Sequence, residues 1–118
     1  MAKSILVVDD FQPAAEATCR LLGILGYQAV PCTDPAKSLE LTEQIVPEAI
    51  LLDIAMPGIS GLELVGQIRQ RLEKPCKIVA VTGHADREMK TRCLSAGFDD
   101  FVVKPATIGE LEAVLGQA

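Results

Sequence analysis

Short apolar runs alternate along this chain with longer segments whose apolar residues recur every three or four positions. Ser4 to Val8 is an apolar, β-branched-rich run with no polar face, the pattern of a strand covered on both sides. Pro13 to Leu25 predicts a helix: proline suits the first turn, Ala14, Ala15 and Ala17 favour helix, and Gly26 suits the stop. Leu21, Leu22 and Leu25 then share one face. Tyr27 to Pro31 predicts a short second strand. Asp34-Pro35 reads as a cap and a first-turn proline before a helix carrying Leu39, Leu41 and Ile45. Ala49 to Ile54 is a third, buried strand. Ser60 with Glu63 three residues on predicts a capping box, followed by a stripe of Leu62, Val65, Ile68 and Leu72. Lys77 to Thr82 is the fourth strand. Asp86 to Ser95 is a more polar helix that Gly97 would end. Asp100 to Val103 is the fifth strand, and Thr107 with Glu110 forms a second capping box before Leu111, Val114 and Leu115.

These are five βα units. Successive parallel strands need right-handed crossovers, so the pattern predicts an α/β fold with a parallel sheet and helices on both faces. No second domain, repeat or low-complexity linker interrupts it, and one domain is expected over residues 1–118.

In an open sheet of this kind, ligands bind beyond the carboxyl ends of the strands. Asp9 and Asp10 follow the first strand, Asp53 closes the third, Thr82-Gly83 ends the fourth, and Lys104-Pro105 follows the fifth. Taken singly these residues are ordinary: the acid pair reads equally as a turn or cap, Thr82 as a strand-end hydroxyl, Lys104 as a solvated lysine. Three acids, a hydroxyl and a lysine converging on one rim from four strands are not. Clustered carboxylates resist joint ionisation, and a hard divalent cation relieves this, with oxygen-only ligands suiting Mg²⁺. Asp53 beside such a cation is placed to attack phosphorus, with the cation, Lys104 and Thr82 each meeting a phosphoryl oxygen.

Composition narrows the partners. Sixteen acidic residues against eleven basic give a formal charge of −5, with no Lys/Arg run, which disfavours direct nucleic-acid binding. No apolar run approaches the roughly 20 residues of a membrane helix, and the N-terminal run is too short for a signal peptide. Cys19, Cys32, Cys76 and Cys93 are widely spaced, with no C-x-x-C pair, and are expected to be packed thiols without disulfides or zinc.

The chain resembles the receiver domain of two-component response regulators, in particular the single-domain chemotaxis type. The resemblance rests on Ile5-Leu6-Val7-Val8-Asp9-Asp10, on Leu51-Leu52-Asp53-Ile54-Ala55-Met56-Pro57-Gly58-Ile59-Ser60-Gly61, on Val79-Ala80-Val81-Thr82-Gly83 and on Phe101-Val102-Val103-Lys104-Pro105. The second motif is highly specific; the acid pair alone is weak. The resemblance implies a doubly wound, flavodoxin-like strand order 2-1-3-4-5. It implies Asp53 as phosphoacceptor, and Asp9, Asp10, Asp53 and the backbone carbonyl of Ala55 as the Mg²⁺ site. It also implies Thr82 and Lys104 on the phosphoryl group, a cis bond before Pro105, and Phe101 as the aromatic that turns inward. A histidine kinase or phosphotransfer protein would then be the phosphodonor and a downstream protein the target, both in the cytoplasm. The domain would catalyse its own phosphorylation and dephosphorylation and no independent reaction.

Three positions depart from common patterns in that family. Ala55 and His84 hold places that help set dephosphorylation rate, and Phe101 lacks a tyrosine hydroxyl. His84, the single histidine, reads as a loop residue or a modulator of hydrolysis. A flavodoxin-like cofactor binder would need a Gly/Ser/Thr-rich phosphate loop where this chain has Asp9-Asp10-Phe11-Gln12-Pro13. A haloacid dehalogenase-type phosphatase would need Asp-x-Asp after the first strand. A phosphorylation-independent interaction module would be expected to lack one of the five key residues. The start and end of the chain fit a free-standing regulator and equally a receiver taken from a hybrid kinase or longer regulator.

Overall fold

The computed structural model describes residues 3–83 and 86–116. Five parallel strands, β1 (Ser4–Val8), β2 (Gln28–Cys32), β3 (Ala49–Asp53), β4 (Lys77–Thr82) and β5 (Asp100–Val103), form one sheet in the order β2-β1-β3-β4-β5. They are joined by α1 (Gln12–Ile24), α2 (Ser38–Ile45), α3 (Gly61–Arg71), α4 (Arg87–Ala96) and α5 (Ile108–Leu115). The expected fold class and strand order are both present.

Period-two alternation within each buried strand divides the core. Leu6, Val8, Ile50, Leu52, Ile78 and Ala80 point to one face and meet Leu64, Val65 and Ile68 of α3 and Cys93 of α4. Ile5, Val7, Leu51, Val79 and Val102 point to the other and meet Ala15 and Leu22 of α1 and Leu111 and Val114 of α5. Both faces are apolar because both are covered, which is why these strands read as unbroken apolar runs.

Several boundaries differ from the sequence expectation. β2 runs one residue later, to Cys32, because its register against β1 extends from Ser4↔Gln28 to Val8↔Cys32. β3 ends at Asp53 rather than Ile54. Asp34 caps a turn of 3-10 helix (Pro35–Lys37), accepting from the Ala36 amide at 3.0 Å, and only then does α2 begin. Ser60 caps α3 through the Leu62 amide at 3.1 Å, not as half of a capping box; the Glu63 amide bonds the Ser60 carbonyl instead. The buried stripe of α3 is Gly61, Leu64, Val65 and Ile68; Val65 and Ile68 are as expected, while Leu62 and Leu72 are only partly buried against the same core. Thr107 and Glu110 do form the capping box of α5. The four cysteines are unpaired thiols, three of them buried.

At the amino edge of the sheet, Arg69 ties three elements together. Its guanidinium donates to the Gly97 carbonyl (2.8 and 3.1 Å), the Cys76 carbonyl (3.1 Å) and the Asp99 carboxylate (2.6 Å), which also accepts from the Ile78 amide at 2.8 Å. The base of α4 is thereby fastened to α3 and β4 through charge-assisted bonds.

Val46 ends α2 in the left-handed region, at φ 50° and ψ 62°, with its side chain about half exposed. A β-branched residue there is strained by roughly 1–2 kcal/mol, and glycine or asparagine is the usual occupant. Val46→Asn and Val46→Gly should therefore raise the urea midpoint, by about 0.5–1 kcal/mol in stability. A lower midpoint in both variants would show that the conformation is not strained.

Candidate functional site

Strand register decides what meets at the carboxyl edge. Val8 pairs with Leu52, Asp53 with Val81, and Thr82 with Val103. One step beyond these pairs, Asp9, Asp53, Thr82 and Lys104 lie side by side along the rim. The order of strands reverses between β1 and β3, so Asp9 and Asp53 flank the crevice that this reversal opens.

Asp9, Asp53 and Thr82 are buried, whereas Asp10 is exposed. The Lys104 ammonium bridges the two buried carboxylates, 2.9 Å from Asp9 Oδ2 and 3.0 Å from Asp53 Oδ2. The second oxygen of each acid is also held: Asp53 Oδ1 accepts from the Ala55 amide at 3.0 Å and Asp9 Oδ1 from the Phe11 amide at 2.9 Å. Lys104 is itself placed by a 2.8 Å bond from its amide to the Thr82 carbonyl. The Lys104–Pro105 bond is cis.

Burial pushes the Asp53 carboxyl above the ordinary carboxylate range and the nearby Asp9 charge adds to this, while Lys104 and the Ala55 amide oppose it without cancelling it. Burial acts on Lys104 in the opposite sense, but its hydrogen bonds and charge interactions with Asp9 and Asp53 outweigh that and raise it overall. One cation thus serves two buried acids, leaving an excess of negative charge at the rim.

One carboxylate oxygen from each of Asp9, Asp10 and Asp53 lies within 4.8 Å of the others. An all-oxygen anionic set, buried on one side and open on the Asp10 side, fits a hard cation that keeps part of its water shell. The expected site residues Asp9, Asp10, Asp53, Thr82 and Lys104 therefore gather at one edge. Ala55 joins them through its amide. Phe101 lies on β5, half-buried, on the same sheet face as Ala80, its register partner, and Thr82. His84 lies outside the described residues.

Residues 5–116 match the model of the response regulator receiver domain. The chain belongs to this family. The receiver is 33% identical over 114 residues to the phosphate regulon transcriptional regulatory protein PhoB of Escherichia coli, covering 96% of this chain and 50% of PhoB. It superposes on a CheY-like receiver domain from Methylobacillus flagellatus with a TM-score of 0.87 at 32% identity, covering 98% of both chains. It also superposes on a response regulator from Burkholderia pseudomallei determined with a phosphorylated aspartic acid, calcium ion and citrate. There the TM-score is 0.85 at 26% identity, covering 96% of this chain and 66% of that one. The chain spans half or less of the length of the curated relatives it matches.

Sequence reasoning did not assign a role to Gly61. A Cβ at this position would lie 2.5 Å from the Asp53 carbonyl oxygen and 2.7 Å from Ile54 Cα, both main-chain atoms. The Gly61 amide also bonds the Ile54 carbonyl at 3.1 Å. The start of α3 therefore packs directly on the backbone that carries Asp53. The signal was present in the sequence as a glycine at a first helical position, where helix propensity disfavours it.

Two outcomes follow. Gly61→Ala should cost about 1–3 kcal/mol in urea unfolding. Gly66→Ala, in the same helix with nothing within 4 Å of a new Cβ, should be neutral or stabilising. Equal effects at the two positions would contradict the contact. The second outcome concerns pH. Because folding raises the Asp53 pKa, the stability associated with this group is complete below the unfolded value of about 4 and is lost as pH rises through the folded value. In divalent-free buffer Asp53→Asn should gain on the native protein as pH rises from about 4 to 7. Parallel pH profiles would contradict the raised pKa.

Proposed function

We propose that this receiver accepts a phosphoryl group on Asp53, with Mg²⁺ held by Asp9, Asp10, Asp53 and the Ala55 carbonyl, and that it changes its α4-β5-α5 face in response. The observation that carries the reading is the Lys104 ammonium set between Asp9 and Asp53 at the strand-order reversal, beside a third acid. The Burkholderia pseudomallei relative, described with a phosphorylated aspartic acid and a calcium ion, supports the same chemistry here.

In the proposed reaction a carboxylate oxygen of Asp53 attacks the phosphorus of a phosphohistidine on a histidine kinase or phosphotransfer protein. The P–O bond forms as the P–N bond breaks, and the leaving imidazole keeps the electron pair and takes up a proton. A bound Mg²⁺ would neutralise charge on the carboxylates and the phosphoryl oxygens. The Ala55 amide and Lys104 each hold one oxygen of Asp53, which fixes the plane of the nucleophile before reaction. As the phosphoryl group arrives, Lys104 is positioned to transfer its contact from the acids to a phosphoryl oxygen.

The switch follows from charge. Phosphorylation adds about −1.5 to −2 at the rim with strong acceptor oxygens. Thr82 turns its hydroxyl to one of them, and Phe101, on the same sheet face, packs into the space released. Differential contact with the phosphoryl group sets the balance of the two states. A downstream protein reads the altered face, in the cytoplasm. Because the relatives carry this domain within longer proteins, the same switch would serve a receiver in a hybrid kinase or longer regulator. No independent enzymatic activity is proposed.

Intact mass after incubation with acetyl phosphate tests this. One added phosphate, dependent on Mg²⁺ and absent in Asp53→Asn, is the expected result. No adduct, together with no spectral response to beryllofluoride and no divalent-cation binding, would leave a receiver-shaped interaction module instead.

A further inference from the structure

The ammonium of Lys90, on α4, stands 5.4 Å from the centroid of the Phe101 ring. Among the described residues no carboxylate lies within ion-pair distance of Lys90, so the ring face is the specific partner of this charge. Phe101 is only half-buried, packed at the margin of the core that α2, α3 and α4 cover. Lys90 is exposed, and its ammonium lies over the ring.

We propose that Lys90 is a positioning residue of the switch, a cation–π clasp that holds the Phe101 ring against α4 and opposes its inward turn. This deepens the phosphorylation reading above and rests on it. α4 buries one residue fully, Cys93, with Met89 and Ala96 only partly buried against the core. Its base is fastened at Gly97 by Arg69, whereas Lys90 lies in its first turns. The clasp therefore links the less anchored end of the helix to the aromatic residue that must move. A ring that turns toward Thr82 leaves the ammonium behind, and the ammonium returns to water. The attraction belongs to the outward state alone, and an interaction confined to one state biases the equilibrium toward it. A neutral side chain of similar length would keep apolar packing against the ring and lose the charge. Arginine would keep both, because a guanidinium also stacks on an aromatic face.

The test uses fluorine NMR of the full chain labelled with fluorophenylalanine, the Phe101 resonance being assigned from Phe101→Leu. Lys90→Met should move this resonance toward its beryllofluoride-saturated position without any activator. The inward population should rise about two- to fivefold, the range expected for loss of one exposed cation–π contact. Acetyl phosphate should modify the variant faster by a similar factor. Lys90→Arg should match the native protein in both measurements. A resonance that stays in place in Lys90→Met, or moves equally in Lys90→Arg, would overturn the clasp. The underlying reading is scored separately by the native protein with beryllofluoride and Mg²⁺. If that addition leaves the Phe101 resonance unmoved, the phosphorylation switch fails, and the clasp fails with it as a switch element. If the addition moves the resonance and Lys90→Met does not, the clasp alone fails.

Discussion

Two carboxylates are buried at the end of this sheet with one ammonium between them, and the rest of the structure is arranged around that shortage of positive charge. An ionised group taken out of water is tolerated when paired and hydrogen-bonded. Lys104 pairs both acids, and the Ala55 and Phe11 amides hold the remaining oxygens. The arrangement is satisfied locally but not neutral. A region left with surplus negative charge favours added cations, and it holds an anionic group only when that group brings or displaces charge. On the proposed reading, the same imbalance makes the rim respond to a change of charge at Asp53.

The sheet makes the imbalance affordable. Its apolar faces are separate: α1 and α5 close one, and α2, α3 and α4 close the other. Between their first residues and their carboxyl ends the strands carry only apolar side chains, and crossovers to helices then release the chain. Arg69 holds the α4 side at one end by fastening the last turn of α4 to α3 and β4.

Much of this was legible in the sequence. Apolar runs marked the buried strands because both faces are covered, and strand ends marked the rim because parallel strands all finish there. Asp9, Asp53, Thr82 and Lys104 could be grouped before any coordinates for that reason. The order of strands came from family resemblance, since periodicity does not say which strand lies beside which. Less legible were features that depend on distant pairings. Arg69 meets Gly97 and Asp99 across separations of 28 and 30 residues, and the dual pairing of Lys104 depends on how close β1 and β3 finish. Boundaries slipped where register or a short 3-10 turn outweighed local propensity, as at Cys32 and Ser38. Val46 was hidden because its left-handed conformation is imposed by the turn into β3, not by its own preference.

Gly61 closes the segment that begins at Asp53. With α3 resting on main-chain atoms at one end and β3 held in the sheet at the other, the intervening loop is pinned at both ends and exposed at Ala55, Pro57 and Gly58. Side chains in its middle can therefore be exchanged without loosening Asp53. On the proposed reading this separates two properties that most sites bind together: the scaffold that keeps Asp53 in place stays fixed, while the lifetime of the group carried on it can be tuned through single loop residues.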